Sequence, residues 1–491
     1  MVLKRFCRPS GLPALGLALV ASLQLASSAR AQPKPAAPAA QKSTARERDE
    51  VSITVYNQNF GLVREVRNVD VGRGKISLEV RDVAANIQPT TVHIKSLENP
   101  ASLAVLEQNY RYDLLSPQKL LEKYVDKKVR VIRYNEKEGR DEEKEAEVLA
   151  VQQGTVLRMG NEITYGVPGR IAFPEVPANL IAKPTLVWLL ESTEPKHKLE
   201  VTYLTQNLGW HADYVLAVND DDTRGDLVGW VTLNNTSGAS YENAQLKLVA
   251  GDVQKLADTQ PMGGEQEEYG GKRRARDQTE SFKEESFFEY HLYSLQRPTS
   301  LLDKEQKQVS LLEADGVGLR KKLIFWGAAH YFRGQYGQVV SNQKVGVYLD
   351  FDNSEKNHMG MPLPKGVVRV YKADKSGARQ FIGEDRIDHT PRDEKVRIKM
   401  GEAFDVVGER KQTDWKTLGT CSSESAWEIS LRNHKDQAQS VEAYEPVGGD
   451  WEIVQSSHKA TKKDAHTFTF DANVPARGEV KISYRVRIKW C

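Results

Sequence analysis

The sequence has few cysteines, no long apolar run and almost no net charge. Its 491 residues include 3 Cys, and 69 Lys and Arg stand against 67 Asp and Glu. Three Cys exclude a miniprotein held by a disulfide framework. One short apolar run excludes a protein that crosses a membrane many times, and the scattered aromatic residues exclude a wholly disordered chain. The length is ample for two or three packed domains.

Familiar catalytic motifs are also missing. Gly271-Lys272 is followed by Arg273, which breaks the phosphate-loop pattern, and no GxSxG, HExxH or GxGxxG occurs. The ten His are dispersed, with no two at metal-ligand spacing. We therefore predict no metal site and no cofactor, and whether the chain is an enzyme stays open, with the balance toward no.

The first 31 residues have the pattern of a cleavable secretory signal. Lys4, Arg5 and Arg8 precede the apolar run 11–21, and residues 29–31 read Ala-Arg-Ala. A retained membrane anchor is the alternative, but spanning needs about 20 apolar residues and polar residues dilute this run after residue 21. We expect cleavage near Ala31 and a periplasmic or secreted mature chain without a transmembrane span.

Cleavage changes the charge and the cysteine count. Residues 1–31 contain four basic residues and no acidic ones, so the 69 basic residues fall to 65 and the net charge becomes −2. Such a chain has little attraction for nucleic acid. Cys421 and Cys491 remain, and they either form one disulfide in an oxidising compartment or stay as two free thiols.

Most of the mature chain is predicted to be β structure. Apolar residues alternate with polar ones in many short segments, and one helix is predicted, with Ser116 as N-cap and Pro117 in its first turn. The short strands after this helix suggest a small barrel of the SH3 or Sm-like kind. The predicted class is mainly β, with tandem β-sandwich modules and this small barrel.

Shifts in composition suggest six segments. They are a signal peptide at 1–31, a disordered spacer at 32–50, an N-terminal β module at 51–115, the helix and barrel at 116–180, a central β-sandwich region at 181–405 with a disordered loop at 258–285, and a C-terminal β-sandwich at 406–491.

The last predicted strand has one apolar face and one basic face, from Val480 to Trp490. The basic face would either bind an anionic polymer or protect an edge strand against aggregation. Of the two, edge protection is the preferred interpretation.

One cluster of aromatic and titratable residues is a candidate ligand site. Aromatic faces next to Asp and His can stack on a sugar ring and bond its hydroxyls, although large aromatic residues also fill cores. The candidate residues are Trp210, His211, Asp213, Tyr214 and Trp230.

Several runs of the sequence resemble a known bacterial family. They are 203–214 (YLTQNLGWHADY), 229–238 (GWVTLNNTSG) and 241–251 (YENAQLKLVAG), with further matches at 290–293, 361–366 and 404–408. This combination resembles the domain of unknown function 4139, which also occurs in mucoidy-inhibitor-like proteins. The resemblance implies bacterial export and β-rich architecture, and it carries over no catalytic residue.

Two functional hypotheses follow. The first is a non-enzymatic cell-envelope protein that acts as a scaffold, or that binds an envelope protein or a surface polysaccharide. The second is a carbohydrate-active hydrolase that uses the region of Trp210, Asp213 and Tyr214, which requires an open cleft and a second carboxylate nearby.

Overall fold

The computed structural model describes residues 40–136, 138–167, 169–177, 180–255 and 282–491. The predicted signal peptide, the spacer residues 32–39 and residues 256–281, which hold most of the predicted loop, lie outside the described residues. Strands dominate these ranges, so the mainly-β prediction is confirmed. No helix in them is long and apolar enough to cross a membrane.

The N-terminal part contains short and medium strands around one helix. Its elements are β1 (Ala40–Ser43), β2 (Arg48–Tyr56), β3 (Phe60–Asp70), β4 (Gly74–Arg81), β5 (His93–Ser96), β6 (Leu103–Arg111), α1 (Pro117–Lys123), β7 (Lys128–Asn135), β8 (Arg140–Ala150), β9 (Val156–Met159), β10 (Glu162–Tyr165) and β11 (Arg170–Ala172).

The rest of the described chain is almost entirely strand. It contains β12 (Thr185–Ser192), β13 (Lys196–Gln206), β14 (Leu208–Val218), β15 (Arg224–Asn235), β16 (Tyr241–Ala250), β17 (Phe282–Phe287), β18 (Tyr290–Leu295), β19 (Thr299–Leu301), β20 (Glu305–Gly318), β21 (Arg320–Trp326), β22 (Gln338–Asp352), β23 (Gly366–Ala373), β24 (Arg379–Ile387), β25 (Lys395–Gly419), β26 (Ser422–Asn433), β27 (Gln439–Pro446), β28 (Asp450–Ser456), β29 (Ala460–Asp464), β30 (Thr467–Val474) and β31 (Glu479–Lys489). Short 3-10 helices lie at Ala45–Glu47, Pro89–Thr91, Pro100–Ser102, Ala329–Arg333 and Glu355–Asn357.

Three sheets surround the larger hydrophobic core. Their strand orders are β1-β4-β12-β6, then β17-β18-β16-β2-β3-β13-β5 with β19 beside β16, and β20-β15-β14-β23-β24. The core they share runs in sequence from Val51 to Ile398. The segments predicted as separate modules at 51–115 and 181–405 therefore share sheets, because β2 pairs with β16 and β3 with β13. Alternation predicts a strand but does not identify its neighbour.

The described part of the predicted spacer is folded. β1 pairs in parallel with β4, and the fully buried Arg67 donates to the backbone oxygen of Thr44 at 3.0 Å and to Glu65 at 2.6 Å. Buried hydrogen bonds to a charged group are strong, so the bond to Thr44 holds this segment against the core. The spacer prediction is thus wrong for residues 40–50.

The predicted loop also ends earlier than expected. Residues 282–285 belong to β17, which pairs with β18. Phe282 is completely buried in the larger core, and this burial fixes the start of the strand. The charged residues that follow Phe282 made this segment resemble loop in the sequence.

The predicted helix and the five strands that follow it surround a separate third core. The Ser116 hydroxyl accepts from the backbone N–H of Lys119 at 3.1 Å, which is the predicted cap. The sheet order is β10-β9-β8-β7-β11, so the last of its strands returns to pair with the first. Tyr124 ends the helix and packs with Val129, Val148 and Leu157.

A nine-stranded sheet forms the C-terminal part around the second core. Its order is β28-β31-β26-β25-β22-β21-β27-β30-β29. β31 lies between β26 and β28, so the edge-protection interpretation of its basic face is wrong. Arg485 instead binds Glu424 on the neighbouring β26 at 3.1 Å and Asp414 on β25, one strand farther, at 2.8 Å.

Candidate functional site

The structure separates the five predicted site residues onto two sides of one sheet. Successive side chains of a strand point to opposite faces, and β14 directs Trp210 and Tyr214 into the core and His211 and Asp213 outward. Trp230 on β15 is directly opposite Asp213 and is half-buried. Three of the five residues therefore share the outer side.

The two inward residues make fixed contacts inside the larger core, and those of Trp210 reach a second sheet. The Trp210 indole donates to the backbone oxygen of Val249 at 3.2 Å and meets the Tyr293 ring edge-on, with centroids 6.4 Å apart. The Tyr214 hydroxyl donates to the backbone oxygen of Pro364 at 2.7 Å. Burial raises the pKa of Tyr214 well above its usual range. Both side chains have structural roles and are not accessible to a ligand.

Asp213 is the centre of a hydrogen-bonded network on the outer side. Its Oδ1 accepts from Arg369 at 2.9 Å, and its Oδ2 accepts from the Thr232 hydroxyl at 2.8 Å and lies 3.2 Å from His211 Nε2. The hydrogen bond with Asp213 raises the pKa of Arg369 above its usual value. With both oxygens bound in this way, the carboxylate fixes its neighbours and is not free to act as a nucleophile.

The network extends across all five strands of its sheet. Gln308 on β20 donates to the Thr232 hydroxyl at 3.2 Å, and Glu384 on β24 lies 3.2 Å from Arg369 Nε. We call these residues the Asp213 network: Gln308, Thr232, His211, Asp213, Arg369 and Glu384. Sequence reasoning missed four of them because they become neighbours only through strand order, and no local signal marks them.

A second polar cluster joins the turn after β2 to the loop after β24. His389 Nδ1 accepts from the backbone N–H of Lys365 at 3.2 Å, and its Nε2 lies 3.1 Å from the side-chain amide of Asn57. The neutral ring then carries its proton on Nε2, so we expect Asn57 to present its oxygen there. Burial, and after it the charge of Lys365, lowers the pKa of His389 below 6.5. Asp252 and Asp388 act in the opposite direction, and His291 adds to the lowering.

This geometry predicts a pH dependence of stability. Because the unfolded His389 binds a proton more readily than the folded one, its contribution to the free energy of unfolding is complete above about pH 6.5 and is lost as the pH falls below that value. Urea unfolding between pH 5 and pH 8 measures the slope of the free energy of unfolding against pH. The slope should decrease in His389→Gln and should not change in His434→Gln, which replaces an exposed His. An equal slope in both variants would contradict the prediction.

A pocket of about 260 Å³ opens on the C-terminal sheet where β26, β28 and β31 meet. Its lining is part polar and part apolar, with Ser456 and Ser457 beside Trp427 and Tyr484. Arg485 also lines it but is already bound to Asp414 and Glu424. The positive charge of this pocket is therefore neutralised within the sheet.

The two late cysteines form a bond, and the described residues hold no metal-binding cluster. Cys421 and Cys491 are joined by a disulfide with their Cα atoms 5.7 Å apart. Across the described ranges, no group of three or more His, Cys, Asp or Glu is placed to hold a metal ion.

Comparison with known proteins finds one family. Residues 199–491 match the model of a family described as a domain of unknown function, DUF4139. The matched range contains the Asp213 network and the whole C-terminal sheet. No curated protein matches the chain.

Proposed function

The chain belongs to the family of the domain of unknown function 4139, and we propose that it is an exported, non-enzymatic binding protein of the bacterial cell envelope. Export is supported by the signal pattern of residues 1–31. It is also supported by the Cys421–Cys491 disulfide, since such bonds persist in oxidising compartments.

The observation that supports a binding role is the arrangement around Asp213 on an exposed sheet face. Both oxygens of its carboxylate are in contact with neighbouring side chains and hold them in place. His211 is 52% exposed and Arg369 is 39% exposed, yet both are held in place by Asp213. Side chains fixed in this way on a rigid sheet can recognise a partner without losing much entropy. The face therefore suits recognition.

No specific observation favours the hydrolase alternative. Two of its three residues, Trp210 and Tyr214, are buried in the core. The carboxylate beyond Arg369, Glu384, is paired with the same guanidinium as Asp213. A glycosidase needs two carboxyl groups that can act on one bond, and this pair is occupied by Arg369.

Export is tested in the source bacterium by fractionation with thiol trapping. We expect the chain in the periplasmic or secreted fraction, starting near residue 32, with Cys421 and Cys491 protected from alkylation until reduction. A Cys421→Ser/Cys491→Ser variant is the control for the alkylation pattern. A chain found only in the cytoplasm with free thiols would overturn the proposal.

The binding role is tested by photocrosslinking in cells. We would place p-benzoylphenylalanine at Val215, which is half-buried on the outer side of β14, and separately at Thr461, which is exposed on β29. We expect a discrete, identifiable adduct from position 215 and none of the same mass from position 461. Identical adduct patterns, or no adduct at 215, would count against this face.

A further inference from the structure

We propose that the outer side of the sheet β20-β15-β14-β23-β24 binds a neutral saccharide chain. This inference rests on the binding role proposed above and names its ligand class. It concerns the Asp213 network together with the aromatic and apolar side chains beside it, which we call the outer face.

The outer face combines one aromatic ring with half-buried apolar side chains at its centre. Trp230 is opposite Asp213, and Asp213 is beside Val367 on the parallel strand β23. Val215 and Tyr371 are half-buried on the same side. A partly exposed indole next to fixed polar groups is suited to stacking on the apolar face of a sugar ring.

A second aromatic group lies farther along the same side. The Tyr371 and Phe381 rings meet edge-on with centroids 5.7 Å apart, and Phe381 is 55% exposed. Tyr371 is level with Ala217, four residues from Asp213 along β14, which is about 13 Å at the usual rise per residue. A chain of several sugar rings can reach from Trp230 to this pair, whereas a single ring cannot.

The charges on the outer face favour a neutral ligand over a polyanion. Arg369 is shared between Asp213 at 2.9 Å and Glu384 at 3.2 Å, so its positive charge is already compensated. The exposed Arg386, opposite Val367, adds a second positive charge to this side, and the exposed Glu313 on β20 offsets it in the total. His211 and Gln308 present further hydrogen-bonding groups on the exposed side. Sugar hydroxyls both donate and accept, and they match such a mixed set of groups without requiring net charge.

Calorimetric titration of the purified mature chain tests this inference. The probes are chitin hexasaccharide and a mixed-linkage β-glucan as neutral chains, and a polyuronate as the anionic chain. We expect saturable binding of at least one neutral probe that changes little with salt. Trp230→Ala should weaken it about tenfold, and Arg369→Gln should also weaken it. Trp490→Ala replaces a 40% exposed Trp that follows β31, away from the outer face, and should leave binding unchanged.

The outcomes separate this inference from the proposed function. Circular dichroism of each variant confirms folding, and Tyr371→Ala provides a second reading if Trp230→Ala does not fold. Three results would contradict the neutral saccharide as the ligand. They are binding of polyuronate alone, equal weakening by Trp490→Ala and Trp230→Ala, and no binding of any probe. If an adduct at position 215 were still an identified envelope protein, the binding role would stand with a protein ligand. If neither the calorimetric titration nor the crosslinking at position 215 showed binding, the proposed binding function would be contradicted as well.

Discussion

Replacing Glu445 by alanine is expected to lower the free energy of unfolding of the C-terminal part by about 3 to 5 kcal/mol. Glu445 and Arg410 are both fully buried, with Arg410 Nη2 2.5 Å from Glu445 Oε1. The Tyr484 hydroxyl donates to the other oxygen at 3.0 Å. Without the carboxylate, the Arg410 guanidinium keeps its hydrogen bond to the backbone oxygen of Trp326 at 3.3 Å. The positive charge of the guanidinium is then no longer compensated. Urea unfolding followed by circular dichroism measures the loss.

Two comparisons isolate the cause of this loss. In Arg410→Met/Glu445→Leu both charges are gone, and we expect much of the stability to return, because an apolar pair of similar volume avoids the desolvation of two ions. Arg477→Ala breaks the pair with Asp436, whose side chains are 75% and 76% exposed, and should cost less than about 1 kcal/mol. If Glu445→Ala were as mild as Arg477→Ala, the pair would not be buried as the structure has it.

Local signals in the sequence predict individual helices and strands correctly, because the interactions behind these signals lie within one turn or one strand. The cap formed by Ser116 and the proline after it are interactions within one turn, so they predicted α1 without knowledge of the fold. The alternation of side chains along β14 likewise places Trp210 and His211 on opposite faces of the sheet. Applying a period of two to the four candidate residues on β14 separates the core pair, Trp210 and Tyr214, from the outer pair, His211 and Asp213.

Contacts between distant strands could not be predicted in this way. Asp213 and Arg369 are 156 residues apart, and they meet only because β14 and β23 pair in parallel. Asn57 and His389 are separated by 332 residues. Each strand's pattern fits many possible neighbours, so strand order, and with it the Asp213 network, requires the structure. For the same reason, the basic face of β31 predicts an edge strand, whereas the structure places β31 between β26 and β28.

Replacing both Cys421 and Cys491 by serine is expected to lower the free energy of unfolding by about 4 kcal/mol, mainly by releasing the unfolded chain. The two residues are 70 positions apart, so the bond closes a long loop. The folded state should keep its shape, since β26 and β31 remain paired from Ser422 to Arg432. The backbone N–H of Trp490 also donates to the Cys421 oxygen at 2.8 Å.

Urea unfolding with and without a reductant distinguishes this effect from damage to the folded state. Reduction should destabilise the wild-type chain to about the level of Cys421→Ser/Cys491→Ser and should not affect the double variant. The double variant should also show a steeper dependence on urea, because its unfolded chain is less compact and exposes more surface. A loss below about 1 kcal/mol with an unchanged slope would mean that the unfolded chain gains little freedom when the bond is absent. Equal loss with a changed circular dichroism spectrum before unfolding would instead place the effect in the folded sheet, where β31 packs Val486 and Ile488 into the second core.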